Sequence, residues 1–181
     1  MKNWNESIAE VAHFRDVEGF WRIWKALPHS DPQNFFTYKK TDDKGQTKLY
    51  SKQYQVNEKD SMAKISTLCW FKKGIKPEWE DLANTKGGCF SYKPENKIEF
   101  ATKFWQSMVF ACVTNNIPHG EEICGFRLVE KGEIYKFEIW VKYGYSAEFG
   151  GFSEQSSYLD KMLSEILDKA GAKFDFFKHV K

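Results

Sequence analysis

An indole and a carboxylate stand side by side at Trp79–Glu80, within the polar segment GIKPEWEDLANTKGG (74–88). Pro77 and the Gly87–Gly88 pair, together with the lack of a periodic apolar face, predict a loop. An aromatic ring in such a loop can serve as a stacking surface for a nucleic-acid base. The carboxylate beside it can accept two hydrogen bonds from the N1–H and exocyclic amine of guanine, whereas adenine carries an acceptor at N1. The two residues therefore predict recognition of guanine.

A second indole occurs at Trp4, between two asparagines and with no apolar residue after it until Ile8. Trp4 and Trp79 could hold a flat base between them. A base methylated at N7 is cationic, so the sandwich would gain a cation–π attraction of about 2 kcal/mol when desolvated. The alternative is that each ring is an ordinary part of an aromatic core.

Residue patterns for catalysis or metal binding are not found in the sequence. It has no glycine-rich phosphate loop of the GxxxxGK[ST] or GxGxxG kind and no GxSxG. No HExxH or CxxC pair occurs among its histidines and cysteines, which are His13, His29, His119, His179, Cys69, Cys89, Cys112 and Cys124. A Cys–His pair that meets only in space stays open, but nothing favours it. We expect a binding protein with reduced thiols and no catalytic residue, metal or cofactor.

Helical periodicity predicts three helices. The first runs from Asp16, its N-cap, to Leu27, with Pro28 ending it. The second spans about 94–114. The third spans about 153–170, with Ser153 as its cap and Gly171 as its stop.

Short aromatic runs joined by turns predict the strands. FFTYKK and KLYSKQYQV flank a turn within 29–62, and ICGFRLVEK and EIYKFEIWVKY flank Gly132. Further strands are predicted at 66–73, 89–93 and in the final KFDFFKHV. Hairpin-connected strands mixed with helices indicate an α+β domain, in which helices cover one face of an antiparallel sheet.

Size and charge narrow the class of protein further. The 181 residues fit one domain, and no apolar run is long enough for a transmembrane helix or a secretory signal. A net charge of +2 excludes a broad cationic surface for DNA. We expect a cytoplasmic monomer that binds neither membrane nor DNA, and the sequence leaves open whether part of it is nuclear.

Four segments together resemble the eukaryotic translation initiation factor 4E family, in their order and in their internal spacing. They are VEGFW (17–21), FKKGIKPEWED with KGG (71–88), FW (104–105) and CGFRLVEKGEIYKFEIW (124–140). The resemblance implies a curved antiparallel sheet with three helices on its convex face and a slot for the 7-methylguanosine cap of messenger RNA on its concave face.

Residue by residue, the resemblance implies a cap site. Trp4 and Trp79 would sandwich the base, Glu80 would bind its N1 and amino groups, and Trp140 would pack near the N7 methyl. For Trp140 the alternative is a core tryptophan on a strand.

The triphosphate of the cap would be bound by the family's basic positions. These correspond to Lys131 and Lys136, with Lys86 as a possible substitute for an arginine that the family carries where this chain has Cys89. Lys131 itself replaces an arginine, which turns a two-pronged contact into a point charge. The alternative is that these are ordinary solvated lysines.

The resemblance also implies a partner site on the opposite, dorsal face. Val17 and Trp21 match the positions that receive an amphipathic helix from the scaffold factor 4G or from 4E-binding repressors. Gln106 and Ser107 depart from the apolar and acidic residues usual there. The alternative for Trp21 is the margin of the core.

Two further departures concern the ends and the middle of the chain. Only three residues precede Trp4, so we expect the strand that normally comes first to be trimmed or missing, and the tail that often closes over the cap to be absent. The stretch between Trp21 and Trp79 is lengthened by the 29–62 segment, which we expect to be an insertion into a single domain. The resulting hypothesis is cap binding with scaffold recruitment; the alternative is a cap-competitive regulator of the same fold that does not recruit the scaffold.

Overall fold

The computed structural model describes residues 8–27, 30–55, 62–93, 98–132, 134–143, 150–169 and 171–179. Within them lie four α-helices: α1 (Val17–Ala26), α2 (Pro32–Phe36), α3 (Ile98–Val113) and α4 (Phe152–Leu167). The strands are β1 (Thr37–Thr41), β2 (Thr47–Ser51), β3 (Thr67–Phe71), β4 (Gly88–Tyr92), β5 (Ile123–Lys131), β6 (Ile134–Val141) and β7 (Asp175–Lys178).

Five strands form one curved antiparallel sheet in the order β3–β5–β6–β4–β7, and β1 and β2 form a separate hairpin. Side chains alternate between the two faces of the sheet. Phe126 and Ile139, paired across β5 and β6, point toward the helices. One residue along, Gly125 pairs with Trp140 on the other side, which we call the open face. The α+β class predicted from the sequence is confirmed.

Helices α1, α3 and α4 bury their apolar stripes against the helix face of the sheet. Phe104, Met108, Leu159 and Leu163 are all 1% exposed or less. Truncating such a side chain to alanine typically costs about 2–5 kcal/mol. This core fixes the sheet on which the open-face residues are mounted.

Helix α1 begins where the sequence predicts. The Asp16 carboxylate accepts a hydrogen bond from the Gly19 N–H at 2.7 Å, which caps the helix. Phe20 and Trp24 are buried, whereas Val17 and Trp21 remain 62% and 42% exposed. The helix ends at Ala26, one residue before the predicted end, and the predicted N-cap is confirmed.

The strand predicted at Phe35 and Phe36 is wrong. Phe35 and Phe36 belong to α2 rather than to a strand, because Asp31 caps the turn through the Asn34 N–H (3.3 Å) and Pro32 suits the first helical position. The structure thus adds a short fourth helix to the three that were predicted.

Helix α4 begins one residue before the predicted cap. Its first residue, Phe152, packs against Phe90 and Phe176 (ring centroids 5.4 and 5.1 Å apart), so tertiary packing sets the start. The helix ends at Leu167, because Asp168 adopts a left-handed conformation (φ 50°) before Gly171 is reached.

Candidate functional site

The loop that carries Trp79 is braced by its own polar side chains. The Asp81 carboxylate accepts hydrogen bonds from the backbone N–H groups of Lys76 and Ala83, each at 2.9 Å. The Asn84 amide is completely buried and donates to the carbonyls of Lys76 and Glu78, each at 2.8 Å. These four bonds fix the backbone on both sides of Trp79.

The glycines that end this loop are required by packing. A Cβ on Gly87 would lie 1.9 Å from the Val141 carbonyl oxygen, so no side chain fits there. The carbonyl of Gly87 accepts the backbone N–H of His179 at 2.9 Å. The KGG motif therefore lets the loop join the end of β6 to the residue that follows β7.

Trp79 is 54% exposed and lies over the imidazole of His179, with ring centroids 6.0 Å apart and planes 21° apart. Nδ1 of His179 donates to the Asn84 carbonyl at 2.9 Å, which leaves Nε2 unprotonated in the neutral ring. Burial lowers the pKa of His179, and this outweighs the opposing effects of the Asn84 hydrogen bond and of Glu138. Trp79 thus stacks on a neutral ring, while Glu80 beside it is exposed.

Trp140 lies behind His179, with ring centroids 4.5 Å apart. It is 1% exposed and packs with Cys89 and Cys124 on the open face, separately from the main core. Trp140 is therefore a buried tryptophan on a strand, but it forms the floor beneath the Trp79 loop. The histidine that joins the two tryptophans was not singled out by the sequence.

A buried group of charges continues the open face from Trp140 along β5 and β6. The Glu138 carboxylate, 2% exposed, makes short contacts with Arg127 Nε and Lys136 Nζ and accepts Trp140 Nε1–H at 3.2 Å. The Arg127 guanidinium lies 5.0 Å from the centroid of Trp140. Burial alone would raise the pKa of Glu138, but the hydrogen bonds and charges of Arg127 and Lys136 outweigh it and hold this pKa below its usual value.

The predicted lysines lie in different surroundings. Lys131 is exposed at the end of β5 and Lys86 is exposed in the Trp79 loop, whereas Lys136 is 29% exposed and engaged by Glu138. Cys89, where the family usually has an arginine, is buried, and burial raises its pKa to about 12. It is an uncharged thiol, like the other three cysteines, all of which are free.

Exposed aromatic side chains mark the dorsal face. Trp21 of α1 and Phe110 of α3 have ring centroids 5.9 Å apart and are 42% and 36% exposed. Beside them is an open depression of about 340 Å³, lined by Lys103, Gln106, Ser107, Phe110, Glu165 and Ile166. The Gln106 amide donates to the Ser30 carbonyl at 2.8 Å, so the segment before α2 is tied to this face.

Comparison with known proteins gives the same family that the motifs resemble. The family model of eukaryotic initiation factor 4E matches residues 47–181. The chain belongs to this family. Eukaryotic translation initiation factor 4E-2 of Schizosaccharomyces pombe is 26% identical over 140 residues, covering 77% of this chain and 46% of that protein. The chain therefore spans about half the length of this relative of the 4E family.

Solved structures of family members share the fold. Ascaris suum eIF4E-3, solved with the m7G cap, superposes with a TM-score of 0.66 at 19% identity, covering 99% of this chain and 82% of that one. C. elegans eIF4E-3, solved with the 4E-binding protein Mextli, gives 0.66 at 18% identity, covering 98% and 84%. At such identities the likeness concerns the arrangement of sheet and helices.

The structure brings two of the predicted site residues together, because Trp79 and Trp140 both contact His179. Lys136 is linked to Trp140 through Glu138, and Glu80 follows Trp79 in the loop with an exposed side chain. Trp4, the expected second stacking ring, lies outside the described residues.

The part of the chain that the structure describes contains neither a membrane-spanning helix nor a metal-binding cluster. None of its helices is long and apolar enough to cross a membrane. Nor does it hold three or more His, Cys, Asp or Glu side chains placed to bind a metal ion.

Proposed function

We propose that this domain binds the 7-methylguanosine cap of messenger RNA in the cytoplasm and leaves it chemically unchanged. The observation that carries the proposal is the half-exposed Trp79, seated on the neutral ring of His179 beside the free carboxylate of Glu80. Membership of the 4E family supports it, as does the Ascaris suum relative solved with this cap.

The methylated base would stack on the exposed side of Trp79, with Trp4 closing the sandwich. Glu80 would accept hydrogen bonds from N1–H and the amino group, and the backbone N–H of Trp79 would reach O6. Trp140 would form the wall on the side of the N7 methyl. Because His179 is neutral, it adds no positive charge that would repel the cationic base.

The triphosphate would run along the open face toward Lys131 and Lys136, with Lys86 near its start. We propose that Arg127 supplies the charge missing at Cys89, since both residues flank Trp140 on the same face. Arg127 and Lys136 are already bound to Glu138, so the phosphates must compete with this carboxylate for them. A forked guanidinium suits phosphate oxygens well.

On the dorsal face, Val17, Trp21 and Phe110 would receive an amphipathic helix from the scaffold factor 4G or from a 4E-binding repressor. Their exposed apolar surface is the kind of anchor that helix recognition uses. The C. elegans relative solved with the 4E-binding protein Mextli supports a partner of this class.

A second candidate is a cap-competitive regulator that does not recruit the scaffold. Gln106, bonded to Ser30, puts a polar group and a chain segment beside Phe110, where the family has an apolar side chain. A fluorescent peptide carrying the scaffold's helix separates the two functions. Micromolar binding that is lost in Trp21→Ala supports recruitment, and no binding supports the regulator.

Tryptophan fluorescence tests the cap site itself. We expect 7-methylguanosine triphosphate to quench emission saturably and guanosine triphosphate to do so far more weakly. Trp79→Ala should remove this response, whereas Trp21→Ala, the same change on the dorsal face, should keep it. Equal responses to the two nucleotides, or full binding by Trp79→Ala, would refute the site.

A separate incubation tests whether the cap survives. Capped RNA kept with a molar excess of protein should be recovered intact. Release of the methylated nucleotide, absent from a Trp79→Ala control, would instead make the protein an enzyme.

A further inference from the structure

The β1–β2 hairpin presents one face that combines aromatic rings with lysines. Tyr38 pairs with Tyr50 across the strands, and their rings stack with centroids 5.5 Å apart and planes 24° apart. Two residues along, Lys40 pairs with Lys48 on the same face. The tyrosines are 45% and 41% exposed, so their rings are open to a ligand.

This face carries charge that the hairpin itself does not balance. Directly opposed lysines repel each other, and neither Lys40 nor Lys48 has an ion-pair partner among the described residues. Across the whole hairpin, four lysines (Lys39, Lys40, Lys44 and Lys48) face two carboxylates of the turn (Asp42 and Asp43), which leaves a net charge of +2. A two-stranded hairpin is also marginal by itself in water, so both features favour a ligand that neutralises the lysines.

The base of the hairpin is attached to the helix face of the sheet, at the end that carries Lys131 and Lys136 on the open face. Phe36 packs against Tyr135, with ring centroids 6.0 Å apart. The Phe36 carbonyl also accepts a hydrogen bond from the Lys52 N–H at 2.8 Å, which closes the base of the hairpin. The segment that follows the hairpin contacts Glu130 of β5. The Glu130 N–H donates to the Ser66 carbonyl at 2.7 Å, and the Glu130 carboxylate pairs with Lys64 at 2.6 Å.

Glu130 and Tyr135 precede Lys131 and Lys136 by one residue in β5 and β6, so the two pairs lie at the same end of the sheet but on opposite faces. The exposed tyrosines and lysines of β1–β2 are therefore mounted at the end of the sheet where the triphosphate would leave the site. Five residues of strand extend this surface by roughly 17 Å.

We propose that this face binds the single-stranded RNA that follows the cap. Bases stack on Tyr38 and Tyr50, and Lys40 and Lys48 contact the phosphates between them. Stacking rings alternating with lysines are how proteins bind single strands without reading their sequence. The inference extends the proposed function, because a bound cap delivers the RNA to the hairpin, but the uncapped arm of its test does not depend on cap binding.

An acidic protein segment is the other ligand that lysines could attract. The stacked tyrosines favour RNA, because every base offers a flat face to them whereas a glutamate side chain does not. The two ligands therefore differ in how they depend on Tyr38 and Tyr50.

The experiment compares the affinity of the whole chain for 7-methylguanosine triphosphate with its affinity for a capped, unstructured RNA of about ten nucleotides. We expect the RNA to bind more tightly than the nucleotide. Tyr38→Ala/Tyr50→Ala and Lys40→Gln/Lys48→Gln should each weaken RNA binding about tenfold and leave nucleotide binding unchanged. The lysine variant should also lower the slope of log affinity against log salt by about 0.7 for each lost phosphate contact.

Matched variants keep the test specific. Lys39→Gln/Lys44→Gln removes two charges from the other face and the turn, and Tyr38→Phe/Tyr50→Phe keeps both rings; both should bind RNA like the unaltered protein. Uncapped RNA of the same sequence should bind more weakly but show the same dependence on the tyrosines. Equal affinity for capped RNA and nucleotide, equal losses in the control lysine pair, or equal binding of polyglutamate would each overturn the proposal.

Discussion

The proposed cap slot, formed by Trp79, His179 and Trp140, and the dorsal face use aromatic residues in opposite ways. In the slot, Trp79 is held by a loop with four side-chain hydrogen bonds and rests on His179. On the dorsal face, Trp21 and Phe110 project from two helices and contact each other, while Trp21 also packs on Phe20 and Phe110 on Trp24. A pre-formed slot suits a small flat ligand, because little ordering is needed on binding. An open pair of rings suits a helix that brings its own shape.

Removing the charge of Glu138 should have the largest effect on stability. It should lower the stability of the protein and raise its affinity for the nucleotide. Glu138→Gln leaves Arg127 and Lys136 without their carboxylate and should lower the free energy of unfolding by about 3 kcal/mol. The same change frees both cations for phosphate, so 7-methylguanosine triphosphate should bind more tightly. Urea denaturation and fluorescence titration measure the two effects.

Glu80→Gln is the matched control, because it removes an exposed carboxylate from the same slot. Its stability should stay within about 0.5 kcal/mol of the unaltered protein, while its preference for guanine should fall. Weaker nucleotide binding by Glu138→Gln would show that Arg127 and Lys136 do not contact the phosphates.

Substituting Trp21 should weaken partner binding at the dorsal face and leave cap binding unchanged. Trp21→Ala should weaken binding of the scaffold's helical peptide by at least about 2 kcal/mol, the usual cost of losing a central aromatic anchor. Cap affinity should not change, since Trp21 lies on α1 and contacts Phe110 rather than the slot. Isothermal titration with each ligand measures both, and a parallel loss of cap binding would contradict the independence of the two faces.

Removing one brace should test whether the slot is pre-formed. Asn84→Ala deletes the hydrogen bonds to Lys76 and Glu78 and should cost about 1–2 kcal/mol of stability. It should also weaken cap binding, because the Trp79 backbone is no longer fixed. Thr85→Ala, in the same loop, removes only an exposed hydrogen bond from the Thr85 hydroxyl to the Leu82 carbonyl (3.3 Å) and should do neither. Cap affinity unchanged in Asn84→Ala would mean that the loop needs no bracing.

Acidification should produce the smallest effect. Because the pKa of His179 is lower in the folded than in the unfolded protein, its stabilising contribution is complete above the unfolded value of about 6.5 and is lost as pH falls through the folded value. Protonation would also repel the cationic base from Trp79. Stability and cap affinity should therefore decline together below pH 6.5 or so.

His179→Gln should flatten the pH dependence, whereas His13→Gln, which removes an exposed imidazole, should keep it. Stability and affinity measured from neutral to mildly acid pH compare the variants. An unchanged pH profile in His179→Gln would rule out His179 as the group that titrates.

Local signals were sufficient for some elements and not for others. The Asp16 cap, the helix stripe of α1 and the β5–β6 hairpin were predicted because each depends on residues close in sequence. The role of His179 could not be predicted, since its partner Asn84 is 95 residues away and the two meet only through the order of β6, β4 and β7.

The Arg127–Glu138 contact shows an intermediate case. Both charges were visible in the two strands, and the turn at Gly132 limited the possible registers. The register that pairs them, and the fact that they point to the open face, came only from the folded sheet. Phe35 and Phe36 were mistaken for strand because their aromatic character outweighed the Asp31–Pro32 helix start.

The placement of the tryptophans allows intrinsic fluorescence to report on each face of the protein separately. Trp24, Trp105 and Trp140 are shielded and should emit at short wavelength, whereas Trp79 and Trp21 face water and should emit at the red edge of the spectrum. A collisional quencher such as iodide would reach the last two first. In Trp21→Phe, Trp79 is left as the long-wavelength emitter of the pair Trp21 and Trp79. In Trp79→Phe, Trp21 is left instead. Occupancy of either face could then be followed without attaching a dye.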